Sequence, residues 1–282
     1  MKTICITLAI ILSAGAVSAQ PKAFYTPEDV KIFHEYISYI APWQTQPTGK
    51  LLEKTAAFFL DKPYAAHTLE INDEEVLVAN LRLFDCTTYV ETVIALTRAV
   101  RSGYPAFDTF LNELQRIRYR EGKVEGYPSR LHYTTDWLYH NETKGILKNI
   151  SAELGGVRLE KTINFMTSNR ESYRQLKSND TMLTEMAAIE KDISDRGGFN
   201  YLPKANIAIT APLIPHMSVI AFTTSINGLD VTHTGFAYQE EERLTFIHAS
   251  SAQKKVVIDT KTLSDYCASQ AVCTGIIIAN VE

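Results

Sequence analysis

Cys86, His233 and His248 have the residue types that acyl-transfer chemistry needs. A thiol can attack a carbonyl carbon. One imidazole can take the thiol proton, and a second can hold the first in the required tautomer. Asp85 precedes the cysteine and is a good N-cap residue, because its carboxylate can accept from a first-turn N–H. Tyr89, Val90, Val93, Ile94, Thr97 and Val100 then recur at helical spacing. Cys86 is therefore expected in the first turn of a helix. There the free N–H groups and the helix dipole should lower its pKa. The alternative is a small buried hydrophobe at a helix start.

The histidines are expected on a hairpin. Val231 to Tyr238 and Arg243 to His248 read as strands around a charged turn, Gln239 to Glu242. If Tyr238 faces Arg243, His233 stands directly opposite His248, with Cβ atoms roughly 4.5–5.5 Å apart on one face. A one-residue slip would undo the pairing.

The remaining elements must bring these residues together. Thr26 to Ile40, with Thr26 as cap and Pro27 in the first turn, and Thr48 to Leu60 read as helices forming an N-terminal layer. An extended run from Val76 to Leu81 leads to Cys86. Phe107 to Ile117 is expected to be helical, and so is Thr181 to Ile193, at the periphery. Ser218 to Thr224, Val256 to Ile258 and Gly275 to Ala279 read as further strands, with a hairpin turn at Asn227-Gly228. The fold class is α+β, a nucleophile helix packed on a small antiparallel sheet.

Two segments could line a site. Tyr64, in the turn Asp61 to Thr68, could donate to an oxyanion if that loop folds over the helix start; otherwise it is an ordinary loop tyrosine. Residues 118–137 are rich in aromatics and arginines. Arg118, His132, Tyr133, Asp136 and Trp137 suit a cleft wall that holds sugar rings or a peptide carboxylate. The same segment equally suits a helix start at Thr134 or Thr135.

The chain has 282 residues and a formal charge of −4, so it lacks the basic footprint of a nucleic-acid binder. We expect one domain over residues 20–282, with an insertion at about 101–215. Lys2, the apolar run Ile4 to Ile11 and Ala16-Val17-Ser18-Ala19 read as an export signal cut after Ala19, leaving no membrane span. The alternative is a retained anchor. Cys5 is not placed at a lipoprotein-type cut. After cleavage Cys86, Cys267 and Cys273 remain, and the near pair Cys267–Cys273 would leave Cys86 free. Neither Cys-x-x-Cys nor His-Glu-x-x-His spacing occurs, so no metal or other cofactor is expected, although Cys86 and the two histidines could in principle be ligands.

Asp85-Cys86-Thr87-Thr88-Tyr89-Val90 resembles the Asp-Cys-Ser-Gly-Phe-Val signature of NlpC-type, papain-like cell-wall cysteine hydrolases. His233-Thr234-Gly235 resembles their His-x-Gly. His248 falls at their polar third position, and Lys62-Pro63-Tyr64 resembles a Lys-Pro-Tyr whose tyrosine lines the site. The chain is most similar to the N-acetylmuramoyl-L-alanine amidase-like branch. That branch carries Asp-Cys-Thr-Thr-Phe-Val-Glu, His-Tyr-x-x-Asp-Trp and His-Ala-Ser, found here at Asp85 to Glu91, His132 to Trp137 and His248 to Ser250. The resemblance implies Cys86 as nucleophile, His233 as base, His248 as orienting residue and Tyr64 at the oxyanion. It places Asp85 and Thr87 where substrate is read. His67 stands where the resemblance leads us to expect glycine. The interval from Cys86 to His233 is also longer than in compact members.

The expected function is hydrolysis of a peptidoglycan amide in the periplasm or cell envelope. The bond is either the one between N-acetylmuramic acid and L-alanine or the one after D-glutamate in the stem peptide. An acyltransferase and a non-catalytic wall-binding protein are the other readings. Peptidoglycan or its fragments are the expected partners; oligomeric state is left open.

Overall fold

The Thr26-Pro27 start does form a helix. In the computed structural model, which describes residues 22–282, α1 spans Pro27–Ile40. Thr26 and Asp29 cap it reciprocally, the Thr26 hydroxyl donating to Asp29 Oδ2 at 2.7 Å. The expected export signal and Cys5 lie outside the described residues.

Helix α2 (Thr48–Phe58) packs between α1 and α3 (Cys86–Arg101). Tyr36, Leu51, Phe59, Tyr89 and Ile94 are buried in this layer. Helix α4 (Phe107–Arg118) covers another side of α3, and α5 spans Thr134–Thr143. Of the extended run before the cysteine, only β2 (Leu77–Val78) is a strand, paired in parallel with β1 (Ala23–Phe24). The rest is held by side chains instead. Asn80 Oδ1 accepts from the N–H groups of Arg82 and Leu83, and Asp29 Oδ1 accepts from Leu81 N at 2.8 Å.

The main sheet has eight strands and is wider than the sequence suggests. β3 (Leu147–Asn149), β4 (Val157–Leu159) and β5 (Phe199–Pro203) come from the stretch between α5 and the C-terminal third. β6 (Val219–Thr224), β7 (Val231–Glu240), β8 (Arg243–Ser250), β9 (Lys255–Ile258) and β10 (Cys273–Val281) complete it, in the order β4-β5-β10-β6-β7-β8-β9, with β3 also on β10. Every pairing in this sheet is antiparallel. The α+β class stands. Helix α6 (Asp180–Asp195) is not merely peripheral: Met186 and Ile193 join Tyr133, Ile163 and Met166 in a core of their own.

The Asn227-Gly228 turn is broader than a two-residue hairpin. Thr224 N donates to Asp230 O across it. Gly228 has φ +75°, and a Cβ there would meet Asn164 Oδ1 at 2.3 Å, because residues 163–165 are seated on the loop. Helix α7 (Leu263–Ser269) lies on the other side of the sheet and is tied to β10 by a Cys267–Cys273 disulfide.

Candidate active site

Cys86 is the first residue of α3, and Asp85 caps the helix by accepting from Thr88 N at 2.8 Å while the Thr88 hydroxyl accepts from Asp85 N at 3.0 Å. The cysteine is a free thiol. Its expected acidity is not found. Burial and then the adjacent Asp85 carboxylate push the thiol pKa up, and the neighbouring Thr234 only partly offsets this. The helix dipole is outweighed first by burial of the sulfur and then by the capping carboxylate.

Helix α3 packs on β7 and β8, with Tyr89 edge-on to Phe236. This contact sets Cys86 against Thr234, the residue after His233. The β7–β8 register differs by two residues from the expected one: Tyr238 faces Thr245, and Glu240 faces Arg243. The strands run on to a tight turn in which Glu241 takes φ +53°. A shift of two keeps every side chain on its face. His233 and His248 thus become diagonal neighbours and still meet, with His233 Nε2 2.6 Å from His248 Nδ1. Continuing the register brings Gly235 opposite His248. A Cβ there would lie 2.9 Å from His248 Cβ, so glycine leaves the space in which the two rings meet at 87°. The β6–β7 ladder is irregular just beside His233, between Phe222 and Thr223.

The sequence reading missed two residues here. Asp259 Oδ2 lies 3.2 Å from His248 Nε2, and Asp259 Oδ1 accepts from Lys261 N at 2.8 Å. Burial raises the Asp259 pKa, but these hydrogen bonds prevail and hold it below the usual carboxylate range. The signal was available. His248 pairs with Val257 across β8–β9, so Asp259 falls on the same face, diagonal to the histidine. Tyr266 on α7 is the second. Its ring packs against both histidines at 5.9 Å and its phenol, near Cys86, is pushed up to about 12 by burial, Asp259 and Cys86. No sequence pattern pointed to it.

The chain of hydrogen bonds fixes protons. Asp259, a carboxylate, can only accept, so His248 Nε2 carries a hydrogen and a neutral His248 accepts at Nδ1. His233 must then donate from Nε2, which leaves its Nδ1 unprotonated and without a partner among the described residues. Burial and then His248 push His233 down to about 3, with Asp259 pulling the other way; burial also lowers His248 against Asp259. All three shifts favour the uncharged forms of the thiol and the imidazoles.

Tyr64 lies at the same place. Its segment is bridged to Phe84, and burial, Cys86 and Asp85 raise the phenol, which keeps it a donor. His67 has φ +61°, the conformation a glycine would suit. Thr87 is exposed, its hydroxyl 4.0 Å from Cys86 Sγ. His132 and Trp137 line a small cavity with Thr87.

Three predicted substrate-binding residues belong elsewhere. Arg118 is buried, donating to Glu91 Oε2 at 2.7 Å and to Val78 O at 2.6 Å. Its charge is spent on α3 and unavailable to a ligand. Tyr133 is buried and donates to Glu190 at 2.6 Å. Asp136 is buried between Arg120 and Arg196. Arg118 ties the inserted stretch to α3 and β2, while Tyr133 and Asp136 hold the stretch to itself.

Fold and site define an amidase-like α+β protein. A crystal structure of an N-acetylmuramoyl-L-alanine amidase from Bacteroides uniformis is 37% identical, with a TM-score of 0.78, covering 82% of this chain and 98% of that one. A Bacteroides fragilis protein described as a xylanase is 36% identical, with a TM-score of 0.77, covering 80% and 99%. A Legionella pneumophila protein shares the fold at 22% identity and a TM-score of 0.67, covering 89% and 94%. No curated protein matches. The chain belongs to the AmiA-like, N-acetylmuramoyl-L-alanine amidase-like family, whose model matches residues 54–276.

Proposed function

We propose that this protein is an exported, papain-like cysteine hydrolase that cuts the amide between N-acetylmuramic acid and L-alanine in peptidoglycan. One observation carries the mechanism: the Asp259–His248–His233 chain ends in an unprotonated Nδ1 beside the strand residue that contacts Cys86. His233 Nδ1 takes the thiol proton as Sγ attacks the lactyl carbonyl carbon. The oxyanion is held by the Cys86 N–H, free at the helix start, and by the Tyr64 phenol. Protonated His233 gives its proton to the alanine nitrogen, and the C–N bond breaks to leave a thioester. A water, deprotonated by His233, then hydrolyses the thioester and regenerates the thiol.

A second reading, an endopeptidase that cuts after D-glutamate, draws on Asp85. Both hydrogen bonds from Thr88 to its carboxylate use Oδ1, so Oδ2 is left to meet a free amine. Glycoside hydrolysis by a carboxylate pair draws no support from this site, since Asp85 caps α3 and Asp259 holds His248.

The test is to incubate the mature protein, and Cys86→Ala beside it, with purified muropeptides and weigh the products. A free stem peptide beginning with L-alanine, absent with the variant, is expected. A disaccharide still bearing L-alanine and D-glutamate would move the assignment to the second bond. Equal activity of the variant would remove Cys86 from the chemistry.

A further inference from the structure

A small cavity of about 30 Å³ lies beside Cys86. Its walls are Val90, Leu131 and the Trp137 ring, and Thr87, Thr234 and His132 supply its polar edge. Thr87 follows Cys86 in the chain, and Thr234 touches the sulfur. The space is that of one water molecule or one methyl group.

Two of these residues carry buried polar atoms left over by the fold. Trp137 Nε1 and Thr234 Oγ1 have no hydrogen-bond partner among the described residues, although the two residues are only 4% and 5% exposed. Buried donors are normally paired, so a pair of unpaired ones beside a nucleophile marks a place for a ligand acceptor. His132 adds the complement. Its Nε2–H donates to Tyr127 O at 2.9 Å, and burial together with Arg130 keeps the ring neutral, so Nδ1 is an acceptor. No lining residue carries a charge, so an ionised side chain would be stripped of water without a counter-charge.

We infer that this cavity is the specificity pocket for the residue on the leaving side of the scissile amide. It takes a methyl side chain, and the donors around it bind that residue's carbonyl. The ligand class is an alanyl peptide unit, neither a longer aliphatic nor a charged one. The inference rests on the amidase reading for which side of the bond the pocket serves.

Binding separates the pocket from the bond. The Cys86→Ala protein is titrated by calorimetry with N-acetylmuramoyl-X-D-isoglutamine, where X is glycine, L-alanine, L-serine or L-valine. Alanine and serine should bind alike, glycine about fourfold more weakly for its missing methyl group, and valine at least ~10-fold more weakly. Leu131→Ala on that background should bring valine to within about threefold of alanine, with Val90→Ala as a second enlargement should the first misfold. Trp137→Phe should weaken all four ligands by about 2–10-fold without changing their order. Equal affinity for alanine and valine, no binding of either, or a preference that both enlargements leave intact would overturn the pocket. Selective binding by Cys86→Ala with no turnover by the parent would instead refute the amidase bond and leave the pocket standing.

Discussion

Two clusters of polar side chains meet the cysteine helix, and they are assembled in opposite ways. Around Arg118, Asp136 and Tyr133 the charges close on one another: Arg118 on Glu91, Arg120 and Arg196 on Asp136, Tyr133 on Glu190. Around Cys86 the chain from Asp259 through His248 to His233 runs in one direction and stops at an open nitrogen. Both clusters are buried and both are rich in titratable groups. Composition does not separate them. What separates them is whether the last member of the network has a partner, because a group that is to exchange a proton with a substrate must be left without one.

If that distinction holds, substitutions in the open cluster should remove activity and spare stability, and those in the closed cluster should do the reverse. Cys86→Ala should reduce muropeptide hydrolysis by ~10⁴ or more. Its melting temperature should stay close to the parent's, since alanine removes only the sulfur and keeps the capped first turn. A large loss of stability with activity retained would break the comparison at its strongest point.

Asp259→Asn is next. The asparagine amide can donate to His248 Nε2, which turns His248 into a donor at Nδ1 and leaves the proton of His233 on Nδ1, the nitrogen proposed to take the thiol proton. A loss of roughly 10²–10⁴ in kcat is expected from the wrong tautomer, with KM little changed. The pH profile makes the test specific. His233 is held at about 3, so the acid limb of kcat/KM in the parent should lie well below the usual histidine value. Asp259 raises both histidines, so its neutralisation should move that limb lower still. A limb that moves up would reverse the assigned electrostatics. Folding stability has the same sign. The unfolded chain protonates His233 below about 6.5, while the folded one resists until about 3. Stability should therefore be full above that window and fall as pH drops through it.

Arg118→Met tests the closed cluster. It strands Glu91, whose pKa burial already raises against the pull of Arg118, so unfolding free energy should drop by about 3–5 kcal/mol in denaturant titration. Activity per folded molecule should be unchanged. Adding Glu91→Gln should recover part of the loss, because the uncompensated charge is then gone.

The position of Cys86 was legible because its signals are local. An Asp-Cys pair ahead of a helical repeat fixes a cap, a first turn and a face within a few residues. The histidine half was legible only through parity: the expected register was wrong by two residues, yet it kept both rings on one face. Asp259 needed the same reasoning carried one hairpin further. Tyr266 was not legible, because α7 reaches the histidines through tertiary packing alone. Arg118, Tyr133 and Asp136 misled for a physical reason. A buried ion pair and a substrate clamp use the same residue types, and only the position of the partner tells them apart.

Tyr133→Phe has the smallest expected effect and gives the finest test of that last point. The phenol donates to Glu190 Oε1 at 2.6 Å and accepts from Met166 N at 2.8 Å. Glu190 keeps a second donor in Thr167 N at 3.1 Å, so losing the hydroxyl leaves the carboxylate partly satisfied and strands only one backbone N–H. The cost should be about 1–3 kcal/mol in a thermal or denaturant melt. Tyr133 immediately follows His132, which lines the cavity beside Cys86. If the closed cluster is only a scaffold, kcat/KM should stay within about twofold of the parent. If kcat/KM falls tenfold while the melt barely moves, the two clusters are one site, and the wall that carries His132 and Trp137 is tuned from behind by Glu190.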